Sequence, residues 1–271
     1  MFPYIAIPSY KRSDTIGSKT LKFLHLSGYP ASRIHIFVAD DEEYKLYEAA
    51  LDEDLYDEII IGVKGLKDQR NFITSFYPED EIIIQMDDDV KGIRCDLTFL
   101  QLIDIGLSSL EYRTAGLWGV MPNDDARRFK NATTKHLTHI LGSFFMMRNH
   151  RDVKMTYTEK EDMERSILYF RRYGQVLRYQ NAGVVTTYGK GKGGLQTPGR
   201  DERIKSEILR FQTEYPNYIN VVDKKGIQDI ILNWACDKFQ DTSKWWCPLA
   251  SVFTQMIVRT SFLLIRRYFS Q

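Results

Sequence analysis

Three adjacent carboxylates, Asp87, Asp88 and Asp89, follow the apolar run Ile82-Ile83-Ile84-Gln85-Met86. The run reads as a buried strand, and three acids crowded at its end are costly without a cation. Mg2+ and Mn2+ take hard oxygen ligands and bind through one or two carboxylates together with phosphate oxygens, which an Asp-x-Asp pair on a strand end can offer. A solvated acidic turn is the bland alternative. Farther along, Tyr188 to Arg200 places Lys190 and Lys192 among Gly191, Gly193 and Gly194. Glycines permit close backbone approach and lysines offer charge to phosphate, although the spacing is not that of a P-loop and no Ser or Thr follows the lysine. A flexible basic loop is the alternative. The five histidines, His25, His35, His136, His139 and His150, show no metal-ligand spacing on a helix and read as structural or surface residues.

Short apolar runs alternating with helical patterns must position these groups. Strands are predicted over Tyr4 to Pro8, Arg33 to Ala39, Glu58 to Val63 and Glu81 to Met86, with helices from Asp14 to about Ser27, Asp41 to Ala50 and Leu66 to Phe76. That alternation is the pattern of βαβ units and a mostly parallel sheet, in which ligands bind outside the carboxyl ends of the strands. After Asp89 the rhythm turns mixed. A helix is predicted from Leu97 to Tyr112, strands over Ala115 to Met121 and Leu137 to Arg148, a helix over Glu161 to Tyr173, one or two strands over Val176 to Thr187, and a helix over Arg203 to Glu214. No internal repeat and no Pro/Gly/Ser-rich linker appears, so one α/β domain over residues 1–222, with halves 1–90 and 91–222, and a C-terminal helical appendage over 223–271 are expected.

The 271 residues are 43% hydrophobic and 13% aromatic, which excludes disorder and fibrous repeats. Net charge +1 hides an asymmetry: residues 1–90 hold 9 basic and 18 acidic side chains, or −9, leaving 28 and 18, or +10, in residues 91–271. The stretch Arg165 to Arg200 has seven basic residues and no acid. Such a half is built to face a polyanion or is simply a solvated basic surface. Cys95, Cys236 and Cys247 are odd in number and widely spread, which points to packing thiols in a reducing cytoplasm. No secretory signal is read at the start, and the apolar segment Pro248 to Ile265 is interrupted too often by polar residues for a stable membrane span. Trp234, Trp245, Trp246 and Phe253 in the appendage serve chain packing or a dimer interface, and oligomeric state stays open.

Ile5-Ala6-Ile7-Pro8-Ser9-Tyr10-Lys11-Arg12, then Asp40, then Gly65-Leu66-Lys67-Asp68-Gln69-Arg70-Asn71, then Asp87-Asp88-Asp89, resemble in order the donor-binding half of the GT-A fold of nucleotide-sugar glycosyltransferases. The resemblance covers roughly residues 3–190. It implies a mixed, mainly parallel sheet flanked by helices, a UDP-sugar donor and a Mn2+ or Mg2+ cofactor. It further implies that Pro8, Tyr10 and Arg12 line the nucleotide, that Asp40 takes the base or ribose, that Lys67 and Arg70 lie near the base and phosphates, and that Asp87 to Asp89 hold ribose and metal, the metal falling to Asp87 and Asp89. Singly, Arg12 or Arg70 could be a surface cation and Asp40 a helix cap. The family's acidic pair at the start of a helix beyond the sheet is matched by Glu161-Asp162, with Asp162 the expected base toward the acceptor hydroxyl. Acids there could instead merely complement the helix dipole. The usual histidine metal ligand has no counterpart after His150.

Ile-Pro-Ser-Tyr-Lys-Arg at the start, Met-Asp-Asp-Asp-Val, and the late Gly-Gly-Leu-Gln followed by Gly-Arg look more specifically like the TET-associated glycosyltransferases of phage genomes, which resemble the enzyme that makes base J. That resemblance implies a 5-hydroxymethylpyrimidine in DNA as acceptor, with Arg171, Arg172, Arg178 and Arg200 as expected phosphate contacts and Lys190 and Lys192 shared between donor and DNA. A polysaccharide, lipid or protein acceptor is the first rival, and a silent nucleotide-sugar or DNA-binding module the second.

Overall fold

A computed structural model describes residues 2–112, 114–186, 199–224 and 227–236 of the chain. The chain divides after Cys236, and Asp237–Gln271 lies outside the described residues. So do Lys190, Lys192, Trp245, Trp246, Cys247 and Phe253.

Strands β1 (Tyr4–Pro8), β2 (Ile34–Val38), β3 (Glu58–Ile61) and β4 (Ile82–Met86) alternate with helices. The first helical stretch runs through α1 (Ser13–Ile16), a π-helical turn at Gly17–Leu21 and α2 (Lys22–Leu26); α3 (Asp41–Ala50) and α4 (Leu66–Phe76) follow. Then come β5 (Gly92–Cys95), α5 (Phe99–Glu111), β6 (Leu117–Met121), the short β7 (Thr133–Thr134), β8 (Phe144–Arg148), α6 (Glu161–Tyr173), β9 (Leu177–Val185) and α7 (Arg200–Glu214). The sheet has the order β3-β2-β1-β4-β8-β6-β9-β5, with β7 paired to β9. β3, β2, β1 and β4 are parallel; β8 is antiparallel to both β4 and β6, and β9 is parallel to β6. The expected mixed α/β sheet flanked by helices is what the chain forms.

Both faces of the sheet are covered, so its central strands carry apolar residues on both faces rather than at alternate positions. Ile5, Ile7, Ile36, Ile84 and Met86 pack on one side with Ile16, Leu21 and Leu24 of the first helical stretch and Leu102 and Ile103 of α5. Ala6, Phe37, Ile83 and Phe145 pack on the other with Ile73 of α4, Ile167 and Phe170 of α6, and Phe211 of α7. Among the described residues no helix is long and apolar enough to cross a membrane.

Besides the two-residue β7, three elements differ from expectation. Residues 137–143 are not strand; they form an irregular segment with Leu137 and Ile140 buried, whose Ile140 amide donates to Ser166 Oγ at 3.1 Å, so the segment is tied to α6 before β8 begins. The short β5, with its single Ile, gave no strand pattern to read. Where a helical appendage was expected to begin, β10 (Ile219–Lys224) and β11 (Ile227–Leu232) form an antiparallel hairpin whose Ile219, Ile230 and Leu232 join the same core as α7. Alternating burial, rather than helical period, governs that segment.

Candidate active site

The carboxyl ends of the parallel strands converge on one edge of the sheet. Because β8 runs the other way, its start, with Gly142 and Ser143, reaches that same edge, where the Asp87 amide donates to the Ser143 carbonyl at 3.0 Å. β9 ends there too, and Thr186 Oγ1 donates to Asp89 Oδ1 at 2.9 Å. The acidic triplet therefore sits between the first and second halves of the chain.

The three acids have different surroundings. Asp88 is buried, accepting from Ser9 Oγ at 2.6 Å and from Arg12 Nη1 at 2.9 Å. Burial pushes its carboxyl up to about 6 against the pull of Ser9 and Arg12. Arg12 Nη1 also lies 3.5 Å from Asp89 Oδ2, so this residue, expected to line the nucleotide, helps neutralise the triplet. Asp87 and Asp89 are half-buried. Burial and the charge of Asp89 raise the Asp87 carboxyl even though Arg70 draws it down. That surplus of negative charge on hard oxygen donors fits a divalent cation held by Asp87 and Asp89.

Arg70 is not the surface cation of one alternative, nor an open contact for a nucleotide. It is fully buried, because α4 turns the same face inward at Arg70, Ile73 and Thr74. Its Nη1 donates to Gln85 Oε1 at 3.0 Å and its Nη2 to Asp87 Oδ1 at 2.8 Å and the Gly142 carbonyl at 2.9 Å, while Nε lies 3.4 Å from Glu161 Oε1. Glu161 is accordingly buried beneath this clamp. Burial and the neighbouring Asp162 charge raise its carboxyl above the usual range.

Asp162 is reachable, with 17% of its side chain exposed. Burial alone would raise its carboxyl, but His139, Arg165 and the Gly142 amide together hold it below the usual carboxylate range, so it is ionised at neutral pH. His139 Nε2 stands 2.8 Å from Asp162 Oδ2, a contact across 23 positions that no local pattern marks. Behind the two acids, the buried Arg165 guanidinium stacks 3.6 Å over the Phe145 ring and makes no hydrogen bond among the described residues.

The other expected site residues are distributed along the same edge. Pro8 ends β1 and is buried. Tyr10 is half-buried, with Lys11 Nζ and Lys64 Nζ 5.3 and 5.5 Å from its ring centre. Asp40 caps α3, its Oδ1 accepting the Glu43 amide at 3.0 Å. Lys67 opens α4 beside Asp68 at 3.2 Å. The expected DNA-contacting arginines do not make one open stripe. Arg172 pairs with Asp152 at 2.9 Å, Arg200 with the buried Glu159 at 2.8 Å, and Arg178 is half-buried with Nη1 3.4 Å from the His139 carbonyl. Arg171 stands in the last turn of α6. Glu79, Asp80 and His150 also bring potential ligand atoms within 4.8 Å of one another, but they precede β4 and follow β8, at the opposite edge of the sheet from Asp87.

No protein-family model matches the sequence, and no curated protein matches it. Several solved structures are similar. S. aureus TarS 1–349 is 12% identical, over 79% of this chain and 73% of that one, with a TM-score of 0.48. Mannosyl-3-phosphoglycerate synthase from Rubrobacter xylanophilus is 14% identical over 86% and 85%, with a TM-score of 0.48. Glucosyl-3-phosphoglycerate synthase from Mycobacterium tuberculosis, in complex with Mn2+, uridine-diphosphate-glucose and phosphoglyceric acid, is 10% identical over 84% and 85%, with a TM-score of 0.47. Identities this low carry no residue role from those proteins to this chain.

Proposed function

We propose that the protein is a metal-dependent glycosyltransferase of the GT-A type that uses a nucleotide-sugar donor, a UDP-sugar in the first instance. The observation that carries this reading is the meeting, at one sheet edge, of the half-buried pair Asp87 and Asp89 with an ionised, accessible Asp162: Arg70 ties Asp87 to the Gly142 carbonyl, and the Gly142 amide donates to Asp162. A cation held by Asp87 and Asp89 would stabilise the negative charge of the departing nucleoside diphosphate. Asp162 accepts the proton of the acceptor hydroxyl as that oxygen bonds to the sugar's anomeric carbon and the bond to the diphosphate breaks. Pro8, Tyr10 and Lys67 at the neighbouring strand and helix ends are the proposed walls for the nucleotide, and Asp40, through the oxygen not engaged in capping, its ribose or base contact.

The acceptor in this reading is the hydroxymethyl group of a modified pyrimidine in DNA. Its support is the motif resemblance and the split of charge between the acidic first 90 residues and the basic remainder. Arg172, Arg178 and Arg200 each have a partner within the protein, in Asp152, the His139 carbonyl and Glu159. Together with Arg171, and with Lys190 and Lys192 outside the described residues, they are the proposed phosphate contacts from that basic stretch. The test is transfer from labelled UDP-glucose, UDP-N-acetylglucosamine and GDP-mannose, with Mn2+, to duplexes carrying cytosine, hydroxymethylcytosine or hydroxymethyluracil, with glycans and proteins as parallel acceptors. Label on hydroxymethylated DNA alone supports the full reading. Label on a glycan or protein alone keeps the transferase and removes the DNA acceptor, and no chelator-sensitive transfer to any acceptor overturns both.

A further inference from the structure

Asp162 is held by a loop rather than by its own helix alone. Its Oδ1 accepts the Met163 amide at 2.9 Å, which leaves Oδ2 facing the turn before β8. There His139 Nε2 comes to 2.8 Å, and the Gly142 amide donates from 3.4 Å. The turn itself is fixed: Ile140 N donates to Ser166 Oγ, whose own hydrogen goes to the Asp162 carbonyl at 2.8 Å, and Arg178 Nη1 reaches the His139 carbonyl. The His139 side chain is 27% exposed, but its Nε2 is buried, and its approach to Oδ2 is a close ion-pair contact rather than an aligned hydrogen bond. Charges bearing on the pair are Glu161 and Arg165 on α6, Arg70 on α4, Asp87 after β4 and Arg178 on β9.

We infer that His139 is a positioning residue, which orients the Asp162 carboxylate toward the acceptor by holding Oδ2 through Nε2. The inference rests on Asp162 being the base. A carboxylate with both oxygens tied to the protein keeps one set of lone pairs directed outward, and a group that fixes the base improves turnover without touching the donor. His139→Ala should lower kcat about tenfold to a hundredfold, less than the loss on removing the base itself. The KM for UDP-sugar should stay within about twofold. His139→Gln, whose amide nitrogen lies near the position of Nε2, should recover most of the loss, which a merely packing role would not produce.

Two measurements separate failure of this inference from failure of the glycosyl-transfer reading. The first is the split of kcat and donor KM for His139→Ala, His139→Gln and Asp162→Asn, using UDP-glucose, Mn2+ and hydroxymethyluracil duplex. The second is the NMR chemical shift of the His139 ring nitrogen Nε2 at one fixed pH in wild type and Asp162→Asn, with the resonance identified by its loss in His139→Gln. The Nε2 resonance should move when the carboxylate beside it is replaced. Wild-type turnover in His139→Ala beside a dead Asp162→Asn overturns the positioning role alone, as does a His139 Nε2 resonance indifferent to Asp162. A wild-type protein that transfers to no acceptor sinks the base role and the positioning role with it, even where the Nε2 resonance upholds the pairing. An active Asp162→Asn enzyme has the same consequence.

Discussion

Arg70→Met tests whether the site is held together by its buried cation. The substitution keeps the length of the side chain in a fully buried place but leaves Asp87, Glu161, Gln85 and the Gly142 carbonyl without their shared donor. Removing one partner of a buried pair costs about 3–5 kcal/mol, because the stranded charge cannot reach water. For a chain of this size that corresponds to a melting temperature lowered by about 6–20 °C. The loss should also depend on pH. Glu161 and Asp87 already bind protons more readily folded than unfolded, so the native state holds more protons and stability falls as pH rises from the unfolded carboxylate range through their raised folded values. Without Arg70 both carboxyls rise further, so the penalty is larger at pH 8 than at pH 5, where protonation relieves it. Urea unfolding of both proteins at the two pH values reads the difference in midpoint and slope. Arg70→Met with Glu161→Gln should recover a large part of the pH 8 loss. A loss below about 1 kcal/mol, or one equal at pH 5 and pH 8, would refute the buried-clamp argument.

Chelation with excess EDTA should abolish transfer, and Asp89→Asn should lower it by orders of magnitude with little change in the unfolding midpoint, because an amide is a poorer ligand for a hard cation; unaltered turnover in chelator would count against a metal. Asp162→Asn should reduce kcat about a hundredfold to ten-thousandfold while UDP binding, followed by calorimetry with Mn2+, stays close to wild type. Gly183→Ala should destabilise the protein by about 1–3 kcal/mol, because an added Cβ meets the backbone of Asn123 and Asp124 where the β6–β9 register shifts; an unchanged melting curve would place the two strands differently. DNA affinity should weaken steeply with salt, and Lys190→Ala should make that dependence shallower by about one unit of slope if the lysine meets a DNA phosphate; donor binding lost with an unchanged slope would assign it to the diphosphate.

What could be read from the sequence follows from how local the determining signal is. The Ile82–Met86 run and the acids after it are contiguous, so strand, strand end and ligand pair come from one stretch. The boundaries of α3, α4 and α6 were equally local: Asp40 caps the first, Pro78 follows the second and Gly174 ends the third in the left-handed conformation. Arg70 was legible in a way that residue type obscured. Counting 3.6 residues per turn sets it three before Ile73 and four after Leu66, on the face that the helix buries, and an arginine there must find acids inside the protein. Arg165 obeys the same count, one turn after Glu161. His139 was not legible, because its partner is 23 positions away and the intervening chain carries a strand and a long loop. Only the antiparallel return of β8, which brings residues 139–142 back beside the end of β4, puts the imidazole against Asp162. The acids of this site were thus marked by their own neighbours in sequence, whereas the groups that decide what each acid does, Arg70 for Asp87 and Glu161 and His139 for Asp162, arrive through tertiary contacts. For that reason two adjacent carboxylates with the same local pattern end in opposite states, Glu161 buried with its proton affinity raised and Asp162 open and ionised.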